Sequence, residues 1–194
     1  YDEKYFADFS YRRDGSSRFA KDARWGDFYS FGLNWNAKKE NFLQGVEWLN
    51  DLRVRASYGE VGNNAGVSLY AYQSLYEINK NGGNAAFISQ SLPAPNIKWE
   101  TTQTVDLGIE GKLFDRLNFS FGYFDKRSKD LLFEVRLPYS AGSYPHNDSM
   151  TNWSIYQNIG TISNRGFEIA LSGEIIKNKD WNWTVSADAT TLKN

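Results

Sequence analysis

The chain has 194 residues, a net charge of −1, 41% hydrophobic residues and 16% aromatic residues. It has no cysteine and one histidine, His146, which excludes disulfides, thiol nucleophiles and metal clusters of several histidines or cysteines. We therefore expect no metal or cofactor, and the near-neutral charge gives no reason to expect nucleic acid as a partner. The mean hydropathy is −0.60, and the sequence lacks the run of about 18 apolar residues that a transmembrane helix needs. Transmembrane β-strands remain possible, because their polar and apolar residues alternate.

The first predicted strand lies close to the start of the chain. One set of alternate positions is aromatic or small, and comprises Tyr5, Ala7, Phe9 and Tyr11. The turn-forming residues 14–17, Asp-Gly-Ser-Ser, follow this set and predict the end of the strand.

The second predicted strand, residues 24–37, has the clearest alternation in the chain. Alternate positions from its first tryptophan are mostly bulky and apolar, and comprise Trp25, Asp27, Tyr29, Phe31, Leu33, Trp35 and Ala37. Ten residues at about 3.3 Å each, tilted by about 40°, give a height of about 25 Å, which matches the apolar band of an outer-membrane barrel. Strands of soluble proteins usually have only about five or six residues. We expect Trp25 and Trp35 to lie in the two aromatic belts.

The rest of the chain predicts five further strands separated by unequal connections. These strands are expected at residues 52–58, 99–113, 117–123, 167–175 and 181–190. The loops that begin at Asp14, Gly59 and Lys126 are expected at one end of the strands, and the links that begin at Lys38, Phe114 and Lys177 at the other. The fourteen-residue link at Lys38 is expected to form a short amphipathic turn packed under the wall. Long loops at one end and short turns at the other are typical of outer-membrane barrels.

The alternation gives every strand one apolar face and one polar face. Residues expected to face lipid include Tyr29, Phe31, Leu33, Leu107, Phe121 and Leu171, and the aromatic belts are expected to contain Trp25, Trp35, Trp181 and Trp183. Residues expected to face an aqueous lumen include Arg53, Arg55, Glu100, Asp106, Glu110 and Glu168. The period alone is equally compatible with a soluble sheet that buries its aromatic face. Strand length, the terminal tryptophans and the unequal loops favour the membrane.

Four stretches resemble the SusC/RagA family of TonB-dependent outer-membrane transporters of Bacteroidetes. They are YRRDGSSRFAKDARWGDFYSFGLNW, WLNDLRVRASYGEVGN, NIKWETTQTVDLGIEGKLFDRLNFSFGYFDKRSKDLL and NIGTISNRGFEIAL. The resemblance implies an all-β, antiparallel transmembrane barrel of the 22-stranded type, of which this chain supplies a sector of about seven strands. It also implies a location in the bacterial outer membrane, import of glycans or oligopeptides, and a SusD-like surface lipoprotein over the barrel mouth.

The same resemblance predicts how the chain relates to a whole transporter. Residues 1–194 are expected to be a fragment of a single barrel domain, without the plug domain and the closing C-terminal strand. TonB would be engaged through the N-terminal region that is absent here. Outer-membrane lipid is the expected surrounding of the apolar face.

Enzymatic function finds little support in the sequence. Glu100, Asp106 and Glu110 share a face, and a carboxylate pair can cleave glycosides, but charged residues are expected wherever a strand lines water. We therefore expect no catalytic site. The outer-loop aromatic residues Tyr139, Tyr144, Trp153 and Tyr156 are candidates for contact with a ligand or with the lid lipoprotein. The alternative is that they pack the loops against the rim of the barrel.

Two further functions are compatible with this composition. A soluble carbohydrate-binding or adhesive β-domain would use the same aromatic residues on a water-soluble sheet. An outer-membrane enzyme is a third hypothesis, although the sequence offers no catalytic constellation for it.

Overall fold

The computed structural model describes residues 1–146 and 149–194, which form long antiparallel strands with short elements between them. In chain order the elements are β1 (Tyr5–Gly15), β2 (Trp25–Asn36), a 3₁₀ helix (Ala37–Lys39), α1 (Asn41–Gln44), β3 (Leu49–Asn63), β4 (Leu75–Asn81), β5 (Asn84–Ser91), β6 (Glu100–Leu113), β7 (Leu117–Lys129), β8 (Leu132–Arg136), a second 3₁₀ helix (Tyr139–Ala141), β9 (Ser143–His146), β10 (Ser149–Asn152), β11 (Ser154–Asn158), β12 (Thr161–Lys177) and β13 (Asn182–Thr190).

Seven long strands form one sheet in the order β1-β2-β3-β6-β7-β12-β13. Every neighbouring pair is antiparallel, so each long strand lies beside the long strand that precedes it in the chain. Within the described residues the sheet is open, because β1 and β13 each pair along one edge only. The predicted all-β, antiparallel, seven-stranded architecture is therefore confirmed.

The strand register aligns the two predicted faces across the whole sheet. Leu33 pairs with Ala56, Ala56 with Leu107, Leu107 with Tyr123 and Tyr123 with Phe167, which gives one continuous apolar row. Three residues away along the same two strands, Arg53 of β3 pairs with Glu110 of β6, which places charges on the opposite face. Because successive side chains in a strand point to opposite sides, the apolar and polar faces stay separate from β1 to β13.

At one end of the long strands, the β6–β7 and β12–β13 connections are short, as predicted, whereas the β2–β3 connection runs over residues 37–48. Between β6 and β7, Phe114 and Asp115 have φ values of 53° and 54°. Positive φ at both central residues is the conformation that joins two strands most tightly. The side-chain oxygen of Asn50 accepts a hydrogen bond from the backbone N–H of Asp115 at 2.7 Å, which fixes this turn against β3.

Two expectations about the connections are wrong in detail. The link at Lys38 does form one turn of helix, α1, but Phe42 is 69% exposed and Trp48 is 54% exposed, so these rings are not packed under the sheet. The link is held instead by Lys38, whose Nζ donates to the carbonyls of Leu43 at 2.9 Å and Val46 at 2.8 Å.

The predicted long loops are also more regular than the sequence suggests. The connection between β3 and β6 contains the hairpin β4–β5, and the connection between β7 and β12 contains the pairs β8–β11 and β9–β10. The alternation in the sixth predicted strand is interrupted by a bulge between Glu174 and Ile176, so Ile176 rather than Ile175 lies opposite Trp183.

The buried core lies in the loops rather than between layers of the sheet. A cluster of five buried residues, which we call the loop core, comprises Phe19, Val67, Ala71, Ala94 and Ile97. All five belong to the connections at the long-loop end of the sheet. No helix in the described part of the chain is long and apolar enough to span a membrane.

Candidate functional site

The long-loop end is built around the loop core, which together with the side chains packed on it joins three separate connections. Phe19 follows β1, Val67 and Ala71 follow β3, and Ala94 and Ile97 precede β6. Leu132, Ile155 and Tyr156, from the connection after β7, pack against this cluster. Sequence reasoning missed the loop core because its members are spread over 79 positions, from 19 to 97, without any helix or strand period.

Three aromatic rings connect the loop core to the sheet. The Phe19 and Trp99 ring centroids lie 5.4 Å apart, and those of Phe28 and Trp99 lie 5.7 Å apart with the rings nearly perpendicular. The indole N–H of Trp99 donates to the carbonyl of Arg24 at 3.1 Å. Phe28 breaks the polar alternation of β2, and the structure explains why: it is buried, and its ring lies where a Cβ at Gly62 would be.

Hydrogen bonds from polar side chains hold the same loops together. The side-chain amide of Asn158 donates to the carbonyls of Lys98 at 2.9 Å and Asp130 at 2.8 Å, and its oxygen accepts from the backbone N–H of Lys98 at 2.9 Å. The guanidinium of Arg18 donates to the carbonyl of Val67. The loops therefore form one connected layer across the end of the sheet.

The candidate contact aromatics do not behave alike in this layer. Tyr139 is 68% exposed and presents its ring to solvent. Trp153 is partly buried, and its ring lies 2.9 Å from the position a Cβ would take at Gly142, which has a φ of 113°. Tyr156 packs against the loop core, and burial raises the pKa of its hydroxyl. The side chain of Tyr144 lies outside the described residues.

Of the four candidate contact aromatics, Tyr139 and Trp153 are therefore the two described ones that a ligand or a partner could reach. The indole N–H of Trp153 is buried without a hydrogen-bond partner among the described residues. Leu137 nearby donates its backbone N–H to the carbonyl of Trp153 at 2.8 Å, which ties the backbone of this segment to the end of β8. Tyr156 packs against the loop core, the arrangement that the alternative hypothesis describes, and its contact with a ligand or the lid stays a prediction.

The polar face carries the six charged residues predicted to line a lumen. Arg53 lies opposite Glu110 in the register, Asp106 lies opposite Ser57, and the Arg55 side chain covers Gly108. Glu100, at the loop end of β6, accepts from the backbone N–H of Leu132 at 3.3 Å. Glu168 pairs with Gly122 on the same face. Whether this face lines a lumen in the whole protein stays a prediction.

The carboxylates that the sequence suggested for glycoside cleavage are spread along β6. Asp106 and Glu110 are four residues apart on one strand, which separates them by about 13 Å, whereas hydrolases hold their two carboxyl groups about 5 to 9.5 Å apart. Among the described residues no group of three or more histidine, cysteine, aspartate or glutamate side chains could hold a metal ion. The described part of the chain gives no support to catalysis.

The apolar face presents large side chains without a covering layer. The six residues predicted to face lipid, Tyr29, Phe31, Leu33, Leu107, Phe121 and Leu171, are between 42% and 49% exposed. At the loop end the band is bordered by tyrosines that donate hydrogen bonds to acids just beyond it. The hydroxyl of Tyr11 donates to Asp27 at 2.6 Å, and that of Tyr58 donates to Glu60.

The four tryptophans of the predicted belts lie at different heights on the sheet. Trp25 lies beyond the ion pair of Arg13 and Asp27 at 3.5 Å, so charges separate it from Tyr29 and the apolar band. At the opposite end, the indole N–H of Trp35 and the hydroxyl of Tyr5 both donate to Glu40. Trp181 and Trp183 are exposed at that same end, where β12 turns into β13. Their membership of belts stays a prediction.

Comparison with known proteins agrees with this architecture. The family model described as TonB dependent receptor-like, beta-barrel, matches residues 1–194. The chain is 35% identical to TonB-dependent receptor P3 of Formosa agariphila, over 100% of this chain and 19% of that protein. It is 36% identical to TonB-dependent receptor SusC of Bacteroides thetaiotaomicron, over 98% of this chain and 19% of that protein. The chain thus spans about a fifth of the length of the curated relatives it matches.

A solved structure supports the same relationship. The chain superposes on the RagAB peptide importer in its closed-closed state with a TM-score of 0.83 and 31% identity, over 99% of this chain and 20% of that one. These relatives are receptors and an importer rather than enzymes. The resemblance to SusC and RagA inferred from the sequence is confirmed, and the chain belongs to the TonB-dependent receptor-like β-barrel family.

Proposed function

We propose that this chain forms a sector of the wall and outer mouth of a TonB-dependent nutrient importer in the bacterial outer membrane. In this proposal residues 1–194 are part of a single larger barrel, with the apolar face in lipid and the polar face toward an aqueous or plugged lumen. The observation that carries it is the agreement over 99% of the chain with the RagAB peptide importer, including the connections that hold the loop core. A barrel suits the membrane because closing the sheet satisfies every backbone group within the protein.

We further propose that a SusD-like surface lipoprotein covers the loop end. The loop core and the side chains packed on it join three connections into one layer, which gives a partner a preformed surface rather than separate flexible loops. A preformed surface costs less conformational entropy on binding. Tyr139 and Trp153 lie in this layer, and exposed aromatic rings are common anchors of protein interfaces.

The substrate is proposed to be a glycan or an oligopeptide. One relative is the receptor SusC and a solved relative is a peptide importer, and the identities of 36% and 31% do not separate the two classes. Both classes are too large and polar to cross a lipid bilayer unaided, and both can contact aromatic rings and hydrogen-bonding groups.

The test uses the full-length parent protein in its own membrane. We expect it to leave the membrane only with detergent, to copurify with a lipoprotein, and to import labelled glycans or peptides only while the membrane is energised. Replacing Tyr139 and Trp153 together by alanine should weaken the binding of the lipoprotein or of the substrate. Phe42→Ala, at the opposite end of the sheet, is the matched control. A parent protein that is soluble without detergent would refute the proposal and favour a soluble carbohydrate-binding or adhesive domain.

A further inference from the structure

We propose that four cations at the loop end of the apolar face bind the phosphate groups of an anionic lipid in the outer leaflet. This cationic cluster comprises Arg127, Lys129, Arg165 and Lys193. The inference rests on the proposed function, because it requires the apolar face to lie in a membrane with the long loops outside. It adds a lipid-binding site to the wall itself.

The register brings the four cations together on three neighbouring strands. Arg165 of β12 lies opposite Asp125 of β7 on one side and opposite Lys193 on the other. Two backbone hydrogen bonds between Arg165 and Lys193, at 2.9 Å and 2.8 Å, fix the second pairing. Arg127 and Lys129 follow Asp125 at alternate positions, so all of these side chains share the face of Tyr123. With strands about 4.8 Å apart and alternate residues about 6.6 Å apart, the cluster covers about 10 by 13 Å, the size of a headgroup.

The cations of the cluster outnumber the single acid among them. Asp125 is bound by Arg127, whose Nε lies 3.0 Å from Oδ1 and whose Nη2 lies 2.6 Å from Oδ2. This pairing uses only part of Arg127, because a guanidinium has five N–H donors. Across the described residues, no side-chain hydrogen bond or ion pair occupies the charged groups of Lys129, Arg165 or Lys193. The positions opposite Arg127 and Lys129 on β6 are the uncharged Gln103 and Thr101.

The surroundings of the cluster favour a lipid over a free anion. Directly below it, the rings of Tyr123 and Phe167 lie 5.2 Å apart. A cleft of about 300 Å³ runs between them and two of the cations, and is lined in part by Arg165, Thr191 and Lys193. Apolar rings beneath a basic rim suit a molecule with acyl chains and phosphates, since the rings contact the chains while the guanidinium binds phosphate through paired N–H groups.

The two ends of the apolar face differ in how far their cations are paired with acids. At the short-turn end, Tyr5 and Trp35 donate to a carboxylate, Glu40, and the nearby cation Lys4 is paired with it at 3.6 Å. At the loop end, by contrast, the cationic cluster has more cations than acids, because Asp125 binds Arg127 alone through hydrogen bonds, and the proposed orientation places this end outside the cell. The geometry points to a phosphorylated glycolipid of the outer leaflet.

The experiment measures lipid retention by the full-length parent protein. The purified protein is exchanged into nanodiscs that contain lipid A with phosphate groups or the same lipid with its phosphates removed, and bound lipid is counted by native mass spectrometry. The test variant replaces Lys129, Arg165 and Lys193 by glutamine. Each cation near an anionic lipid contributes roughly fivefold to affinity, so we expect about a 100-fold loss of affinity for the phosphorylated lipid and little change for the other.

The control variant makes the same change in charge elsewhere. Lys80, Lys126 and Lys179 are replaced by glutamine, on the β4–β5 hairpin, the polar face of β7 and the short turn before β13. This control should retain lipid like the unchanged protein, and inorganic phosphate alone should not displace the lipid. The inference would be overturned if the test variant retained as much phosphorylated lipid as the unchanged protein. It would also be overturned if the control variant lost as much lipid as the test variant, or if inorganic phosphate displaced the lipid. A protein that imports nutrients but fails this test refutes only the lipid site, whereas a soluble parent refutes both proposals.

Discussion

Phe19→Ala should loosen the loop core without disturbing the sheet. Phe19 is fully buried, at 0% exposure, and its ring contacts that of Trp99. Replacing a buried phenylalanine by alanine costs about 3 to 5 kcal/mol. Three of its neighbours, Val67, Ala71 and Ala94, are small side chains in connections outside the long strands, which places the cost at the lower end, about 3 kcal/mol. Since about 1.4 kcal/mol corresponds to a factor of ten, the local opening of the loop core should become about 100-fold more frequent.

Hydrogen–deuterium exchange of the full-length protein measures this opening. Backbone amides of residues 64–74 and 92–99 should exchange about 100-fold faster in the variant, up to the rate of the unfolded chain, because exchange follows local opening. Amides in the middle of β6 should be unchanged. Phe87→Ala is the control, since Phe87 is 78% exposed and should alter neither region. Unchanged exchange in Phe19→Ala, or an equal effect of Phe87→Ala, would refute the claim that these connections share one core.

Three further predictions address the contacts around this core and the opposite end of the sheet. Gly62→Ala should displace the Phe28 ring, because the new Cβ would overlap it, and should therefore speed hydrogen exchange in the same loops. Gly59→Ala should be neutral, because a Cβ there has its nearest contact at 3.8 Å. Asn158→Asp should cost about 1 to 3 kcal/mol and expose residues 92–99 to protease, because a carboxylate cannot donate to the two carbonyls that the amide binds. Hydrogen bonds from Tyr5 and Trp35 lower the pKa of Glu40 below its usual 4.5. The stability that the ionised Glu40 adds to the folded chain is therefore fully present above pH 4.5 and is lost as the pH falls through the lowered pKa. Relative to the rate of the unfolded chain at the same pH, exchange of residues 37–48 should therefore rise below pH 4.5 in the unchanged protein, and Glu40→Gln should remove this pH dependence.

The wall of the sheet could be predicted from the sequence because it depends on a period of two. Phe31, Leu107 and Leu171 alternate with small or polar neighbours in sequence, and successive side chains of a strand point to opposite faces. The strand register then keeps all three apolar side chains on one face of the sheet. The connections carry no such period. Val67 lies between a glycine and a serine and Ala94 lies between two prolines, so only the folded loops reveal that both are buried.

One residue nevertheless signalled the loop core in advance. Phe28 interrupts the small and polar positions of β2, which makes it an exception to the pattern that predicted everything around it. A large ring on a polar face must find a partner or remain in contact with water, and burial of a phenylalanine is worth about 1.5 to 3 kcal/mol. Its partners, Trp99 and the surface of Gly62, lie 71 and 34 positions further along the chain, a separation that no local pattern could supply.

The sheet and the loops also differ in what stabilises them. If the apolar face lies in lipid, as we propose, burying it against hydrocarbon gives no hydrophobic driving force between strands, and the wall depends on its backbone hydrogen bonds. The loops lie in water, where burial of Phe19 and Ile97 is favourable, so the chain places its only described hydrophobic cluster there. Changes in the loop core should therefore alter the mouth while leaving the wall intact. In the transporter that we propose, the outer surface could therefore vary for new partners without destabilising the barrel.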